Sequence, residues 1–137
     1  MKRIILIIAT LSIVNFTFAQ EGKIDLTVDG ILSPKGKLMI NVFASESDYL
    51  KTPMKSLEIN LSEAEDYTFE INDLPHGEYA ISVVHDENAN GQLDFGGMGP
   101  TEGYGFSNNP NAMYGPAPYQ KAKFTFNEST AFTVKLN

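Results

Sequence analysis

Oxygen-bearing side chains recur at alternate positions in HDENANGQLD, His85 to Asp94. Counted from Asp86, the first, third and fifth positions are Asp86, Asn88 and Asn90, the sixth is Gly91 and the ninth is Asp94. That order suits a hard cation such as Ca2+, which collects six to eight oxygens at about 2.3–2.6 Å. A backbone curling around the ion brings the side chains of Asp86, Asn88, Asn90 and Asp94 inward, and Gly91 permits the sharp turn. Gln92 contributes its backbone carbonyl, and Leu93 points away to anchor the loop. Five oxygens result, one short of the minimum. The twelfth position, where a helix-loop-helix calcium site has a bidentate glutamate, is Gly97. Glu102 is the nearest downstream acid, and the Gly-rich chain before it can fold back to supply the sixth oxygen. Two certain carboxylates and two neutral amides make a weak site, in the extracellular range of about 10⁻⁴–10⁻³ M. The competing reading is a hydrogen-bonded turn, because Asn90-Gly91 is a hairpin signal and Asp and Asn stabilise turns without metal.

Other chemistry finds little support. Cysteine is absent, so thiol nucleophiles and disulfides are excluded. No Gly-x-Ser-x-Gly elbow occurs, and Ser107 has no evident base beside it. The two histidines, His76 and His85, lack close metal-ligand spacing. His85 shares strand parity with Tyr79, Ile81 and Val83, which favours a hydrogen-bonded structural role over catalysis. A hydrolase using His85 and neighbouring acids remains the alternative. The glycines of GGMGPTEG do not follow a strand as a phosphate-cradling loop does.

The elements that must hold the loop follow from the rest of the chain. MKRIILIIATLSIVNFTFA opens on Lys2 and Arg3, continues through the apolar run Ile4–Val14 and ends on Thr17-Phe18-Ala19. This has the form of a secretory signal peptide covering residues 1–19, leaving 20–137 as one domain in the periplasm or outside the cell. The apolar run falls short of the about 20 residues a membrane span needs, so no transmembrane anchor is expected after its removal. The chain carries 10 Lys and Arg against 17 Asp and Glu, a formal charge of −7, and losing Lys2 and Arg3 makes it more negative. That excess argues against nucleic acid and anionic lipid as partners.

Seven short runs then alternate apolar and polar residues. They are centred on Ile24–Val28, Leu38–Val42, Leu57–Leu61, Tyr67–Ile71, Tyr79–Val83, Ala122–Phe126 and Phe132–Leu136. Period two predicts strands with one buried face, and Gly30, Pro34–Gly36, Asn72–Asp73 and Pro75–Gly77 supply turns. The expectation is an all-β, seven-stranded antiparallel sandwich of the immunoglobulin or prealbumin-like kind. Ser45–Pro53 offers a single helical turn.

From Asp86 to Tyr119 that rhythm stops. This stretch of 86–119 holds seven of the eleven glycines, four of the seven prolines, and Phe95, Tyr104, Phe106, Tyr114 and Tyr119. Five aromatics argue against disorder. An ordered loop packing its rings over one end of the sandwich is expected, with residues 95–119 forming the surface for an unknown protein or small ligand.

INDLPHGEYAISVVHDENANGQLD, then GMGPTEGYGFSNN, then GPAPYQKAKFTF, together resemble the secreted bacterial family called domain of unknown function 2141 (DUF2141). The resemblance covers nearly all of residues 20–137 and implies export, but no activity. FEINDLPHGEYAISV also resembles the strand-turn-strand of prealbumin-like and carboxypeptidase-regulatory-like sandwiches, which implies a non-catalytic module. One prealbumin-like enzyme, the transthyretin-related hydroxyisourate hydrolase, ends in a Tyr-Arg-Gly-Ser motif, whereas this chain ends in TVKLN. The expectation is therefore an exported, non-catalytic binding or structural module with a weak calcium loop. Carriage of a small apolar ligand stands beside the hydrolase as an alternative.

Overall fold

A computed structural model describes residues 21–64, 66–113 and 115–137. The expected signal peptide, residues 1–19, and Tyr114 lie outside the described residues. The fold is all-β. Strand β1 (Glu21–Asp29) lies between β4 (Thr68–Pro75) and β10 (Thr130–Lys135) in a three-stranded sheet. A second sheet runs β3 (Lys55–Asn60), β2 (Lys37–Phe43), β5 (Gly77–Asp86), β8 (Tyr104–Phe106), with β9 (Phe124–Phe126) also pairing β5. A small hairpin pairs β6 (Phe95–Gly96) with β7 (Gly99–Pro100).

Each of the seven alternating runs has its strand. The alternation works as expected in β1, where Ile24, Leu26 and Val28 are buried and the residues between them are half-exposed. These three meet Leu38, Ile40 and Val42 of β2, Ile81 and Val83 of β5, Ile71 of β4 and Val134 of β10 in one core drawn from both main sheets. Every side chain in this set is at most 2 % exposed, so each contributes about 1.5–3 kcal/mol of burial.

Two features differ from the sequence expectation. The antiparallel order is broken where β1 pairs β10 in parallel, from Ile24 opposite Thr130 to Asp29 opposite Lys135. β4 already occupies the other edge of β1, so the chain, after pairing β9 with β5, crosses over to fill the free edge. Loop 86–119 also contains strands. Tyr104, Gly105 and Phe106 pair with Val84, Val83 and Ser82, which makes β8 a fourth rung on the second sheet. Three residues with glycine at the centre give too short an alternation to read as a strand. Gly105 is required there because a Cβ at this position would stand 2.3 Å from the Lys135 carbonyl oxygen. Ser45–Pro53 forms turns, with the Lys51 and Thr52 amides both donating to the Asp48 carbonyl.

The excursion does not cap an end of the sheets. It covers the face of β5 opposite the main core. Tyr104, Phe106, Ala112, Ala117, Tyr119 and Ala122 pack with Ala80 and Val84 as a second cluster, and Tyr49 leans on it from the β2–β3 connection. Helix α1 (Tyr119–Ala122) is fastened by Ser107, whose buried hydroxyl donates to the Ala122 carbonyl and accepts from the Ile81 amide. Tyr49 sits edge-on to Phe43 and Tyr119, with ring centroids 5.3 and 5.5 Å away. Its enclosed hydroxyl has no hydrogen-bond partner among the described residues. Burial pushes its pKa up to about 12.

An enclosed, unpaired hydroxyl destabilises a fold, so Tyr49→Phe is expected to raise stability by about 1 kcal/mol in urea unfolding. The unfolded chain releases this proton near the usual value of 10.0, whereas the fold holds it until about 12. Stability from this group is therefore complete below pH 10 and lost as pH rises to 12. Tyr79 and Tyr119, also raised by burial, act in the same sense. The Phe variant should show a shallower alkaline loss, and an unchanged pH profile would contradict this assignment.

Candidate functional site

The polar loop begins where β5 ends. Asp86 is completely buried, and its carboxylate accepts from the amides of Asn90 at 3.1 Å and Gly91 at 2.7 Å. Asn88 and Asn90 each accept from the amide two residues on, at 3.0 and 2.9 Å, which coils the chain tightly. Their amide groups both turn to Asp94, at 2.5 and 2.9 Å. Gly91 takes a φ of +83°, a conformation that glycine adopts without steric cost. Gly36 approaches from the β1–β2 connection so closely that a Cβ would stand 2.1 Å from the Asp86 carbonyl oxygen. The loop therefore rests on backbone, not on a side chain.

Glu102 does fold back, as its place in the sequence suggested. One carboxylate oxygen accepts from the Glu87 amide at 2.9 Å and the other from the Asp94 amide at 3.0 Å. It thus braces both ends of the loop and is itself only 8 % exposed. The structure brings Asp86, Asn88, Asn90, Asp94 and Glu102 into one hydrogen-bonded unit. Gln92 joins it through its backbone amide, and its side chain is exposed. No group of three or more Asp, Glu, His or Cys side chains converges as a metal site among the described residues. The donor set nevertheless suits a hard cation, since a carboxylate or amide oxygen that accepts one N–H retains a lone pair. Asp86, Glu87, Asp94 and Glu102 also have no Lys or Arg ion pair among the described residues, whose five salt bridges all lie elsewhere.

His85 is 2 % exposed, and its Nε2 lies 2.9 Å from the Lys35 carbonyl oxygen. With a carbonyl as partner, that nitrogen carries the proton and donates it. His76 is exposed and stands edge-on to Phe126. Neither histidine is hydrogen-bonded to a hydroxyl among the described residues, and Ser107 is sealed into the joint between β5, β8 and α1.

Beside the polar loop, the excursion leaves an open apolar groove of about 600 Å³. Ser82, Val84, Tyr104 and Phe106 line its inner side, where side chains of β5 and β8 share the face away from the main core. Leu93 belongs both to the polar loop and to this wall. Among the described residues, four of the six large apolar side chains that stand exposed ring the groove: Leu50 at 42 %, Phe95 at 70 %, Met113 at 68 % and fully exposed Met98. Of the expected aromatics, Tyr104 and Phe106 form the inner wall, Phe95 forms the rim, and Tyr119 lies behind in the second cluster. Leu50 and Ser82 were not evident as site residues, and Met98 and Met113 fell inside the expected 95–119 surface without being singled out. They come from four different segments that the fold brings around one groove.

Glu102→Gln leaves one oxygen to serve two amides and turns an NH2 group toward the other. It should cost about 1–3 kcal/mol in denaturant unfolding. Gln92→Ala, which loses only an exposed side chain, should remain within about 0.5 kcal/mol of the parent. Equal effects of the two would contradict the brace.

No curated protein matches the chain, and no solved structure matches it. A family model described as "Uncharacterized protein conserved in bacteria (DUF2141)" matches residues 26–134, from β1 to β10, with the polar loop and the groove inside the matched range. The chain belongs to the DUF2141 family of bacterial proteins.

Proposed function

We propose that this protein is an exported, non-catalytic binding module of the prealbumin-like sandwich kind, in which a calcium-binding loop sets the shape of an apolar binding groove. The observation that carries the reading is the ring of Leu50, Phe95, Met98 and Met113 around a groove of about 600 Å³. Pockets for small ligands run from about 300 to 1,000 Å³ and have mostly apolar walls. Export rests on the basic start and apolar run of residues 1–19. Calcium rests on the oxygen spacing of Asp86, Asn88, Asn90 and Asp94, the carbonyl of Gln92, and the acids that lack a basic partner among the described residues. Glu102 acts as a brace and is available as the remaining ligand. Leu93 and Asp94 join the two parts, because ordering the loop fixes one wall of the groove. The hydrolase alternative is less well supported, since His85 donates its Nε2 proton to a backbone carbonyl and is enclosed.

An ion that binds only the folded state stabilises it by RT ln(1 + [L]/Kd), about 2.7 kcal/mol at a hundred times Kd. For a domain of this size, millimolar calcium should raise Tm by on the order of 10 °C, and chelator should reverse the change. Asp86→Ala should remove the calcium response as well as lowering stability, while Gln92→Ala should keep the response. A Tm indifferent to calcium would leave the loop a polar turn. The groove is tested separately with the neutral fluorescent probe N-phenyl-1-naphthylamine. Binding is expected in the parent and should weaken at least tenfold in Met98→Asp, which alters only an exposed rim residue.

A further inference from the structure

We infer that the groove takes a small uncharged molecule with an apolar body and one hydroxyl or carbonyl group, and that this group hydrogen-bonds to Ser82. The inference rests on the groove being a binding site and specifies what it binds.

Ser82 interrupts an otherwise apolar stretch of β5. The alternation that sends Ile81 and Val83 into the main core sends Ala80, Ser82 and Val84 to the opposite face. There Ser82 is opposite Phe106 of β8 and Asn41 of β2. It is only 5 % exposed, yet it lines the groove. Neighbouring buried hydroxyls are satisfied within the fold. Tyr79 donates to the Pro75 carbonyl, Tyr104 to the Ala112 carbonyl and Ser107 to the Ala122 carbonyl. The Tyr49 hydroxyl is unpaired but enclosed, out of a ligand's reach. Ser82 differs from all of these: no hydrogen bond of its hydroxyl is found among the described residues, and it stands on the outer face of β5 where that face lines the groove. A serine at the base of an apolar site supplies one directional contact in a place that otherwise selects only for shape.

The walls set the rest of the ligand's chemistry. Among the described residues, no charged side chain lines the groove. A charge carried into it would lose water without gaining a partner. Anions are opposed further by the acids of the adjoining loop and by the chain's negative charge. Val84, Leu93, Tyr104 and Phe106 offer apolar surface along the inner wall, and the flexible Met98 and Met113 at the rim can close on bodies of different outline.

The test uses the full chain and three probes of one size: naphthalene, 1-naphthol and 1-naphthoate. Their affinities are read by displacement of N-phenyl-1-naphthylamine. 1-Naphthol should bind about fivefold more tightly than naphthalene, the effect of one net hydrogen bond. Ser82→Ala should erase that ratio and leave naphthalene unchanged, while Ser82→Thr, which keeps the hydroxyl, should retain it. 1-Naphthoate should bind at least tenfold more weakly than 1-naphthol. A naphthol-to-naphthalene ratio that survives in Ser82→Ala overturns the assigned contact, although the groove stays a binding site. Preferred binding of the carboxylate overturns the uncharged class. If none of the probes binds, the groove reading itself fails. A concentration-dependent dimer that Met98→Asp dissociates, with no probe bound, would show that a second copy fills the groove and would overturn the inference.

Discussion

Strand β5 is covered on both faces, and most of the molecule is arranged around that constraint. Its inner side chains, Tyr79, Ile81 and Val83, close the core shared by the two main sheets. Its outer face carries Ala80, Ser82 and Val84, and a face so short of polar groups is costly to leave in water. Residues 86–119 supply the cover. They lay Tyr104, Phe106 and Tyr119 over it and are tied down through β8 and Ser107, with β9 pairing β5 just beyond them. The cover is incomplete, and the groove is the part of that outer face left open.

The second organising element is the pair of carboxylates that holds the turn leaving β5. Asp86 gathers the amides of Asn90 and Gly91, and Glu102 gathers those of Glu87 and Asp94. Four backbone donors of the tight turn are thereby satisfied, that of Asn90 being shared with the Asn88 side chain. The same arrangement places two largely buried negative groups in one loop without a Lys or Arg ion pair among the described residues. A hard cation would offset that charge with the ligand types already present. Because Leu93 lies inside the braced segment and also in the groove wall, charge at one site and shape at the other are physically linked.

The strands were legible in the sequence because a half-buried strand must alternate, and Ile24, Leu26 and Val28 do so without exception. The polar loop was legible because its oxygens lie within nine consecutive positions. Glu102 could be named as its distant member because acids are scarce between Asp94 and the C-terminal strands. Two things could not be read. The parallel pairing of β1 with β10 depends on which edge is free after β4 has docked, which no local pattern records. The groove depends on β8, whose three residues are too few to reveal a period. Ser82 carries no signal of its own in the β5 run, and only the register places it opposite Phe106 on the outer face.

The central claim is that one folded unit combines an ion-responsive loop with an adjoining apolar site. An NMR titration of the isotopically labelled protein, first with calcium and then with N-phenyl-1-naphthylamine, tests it most directly. Calcium should move the amide signals of residues 86–94 and Glu102, with a smaller shift carried to the groove through Leu93. The probe should then move Ser82, Val84, Tyr104 and Phe106, and bind more tightly with calcium than without it. Calcium shifts scattered over surface acids, or probe shifts centred away from β5 and β8, would contradict the account.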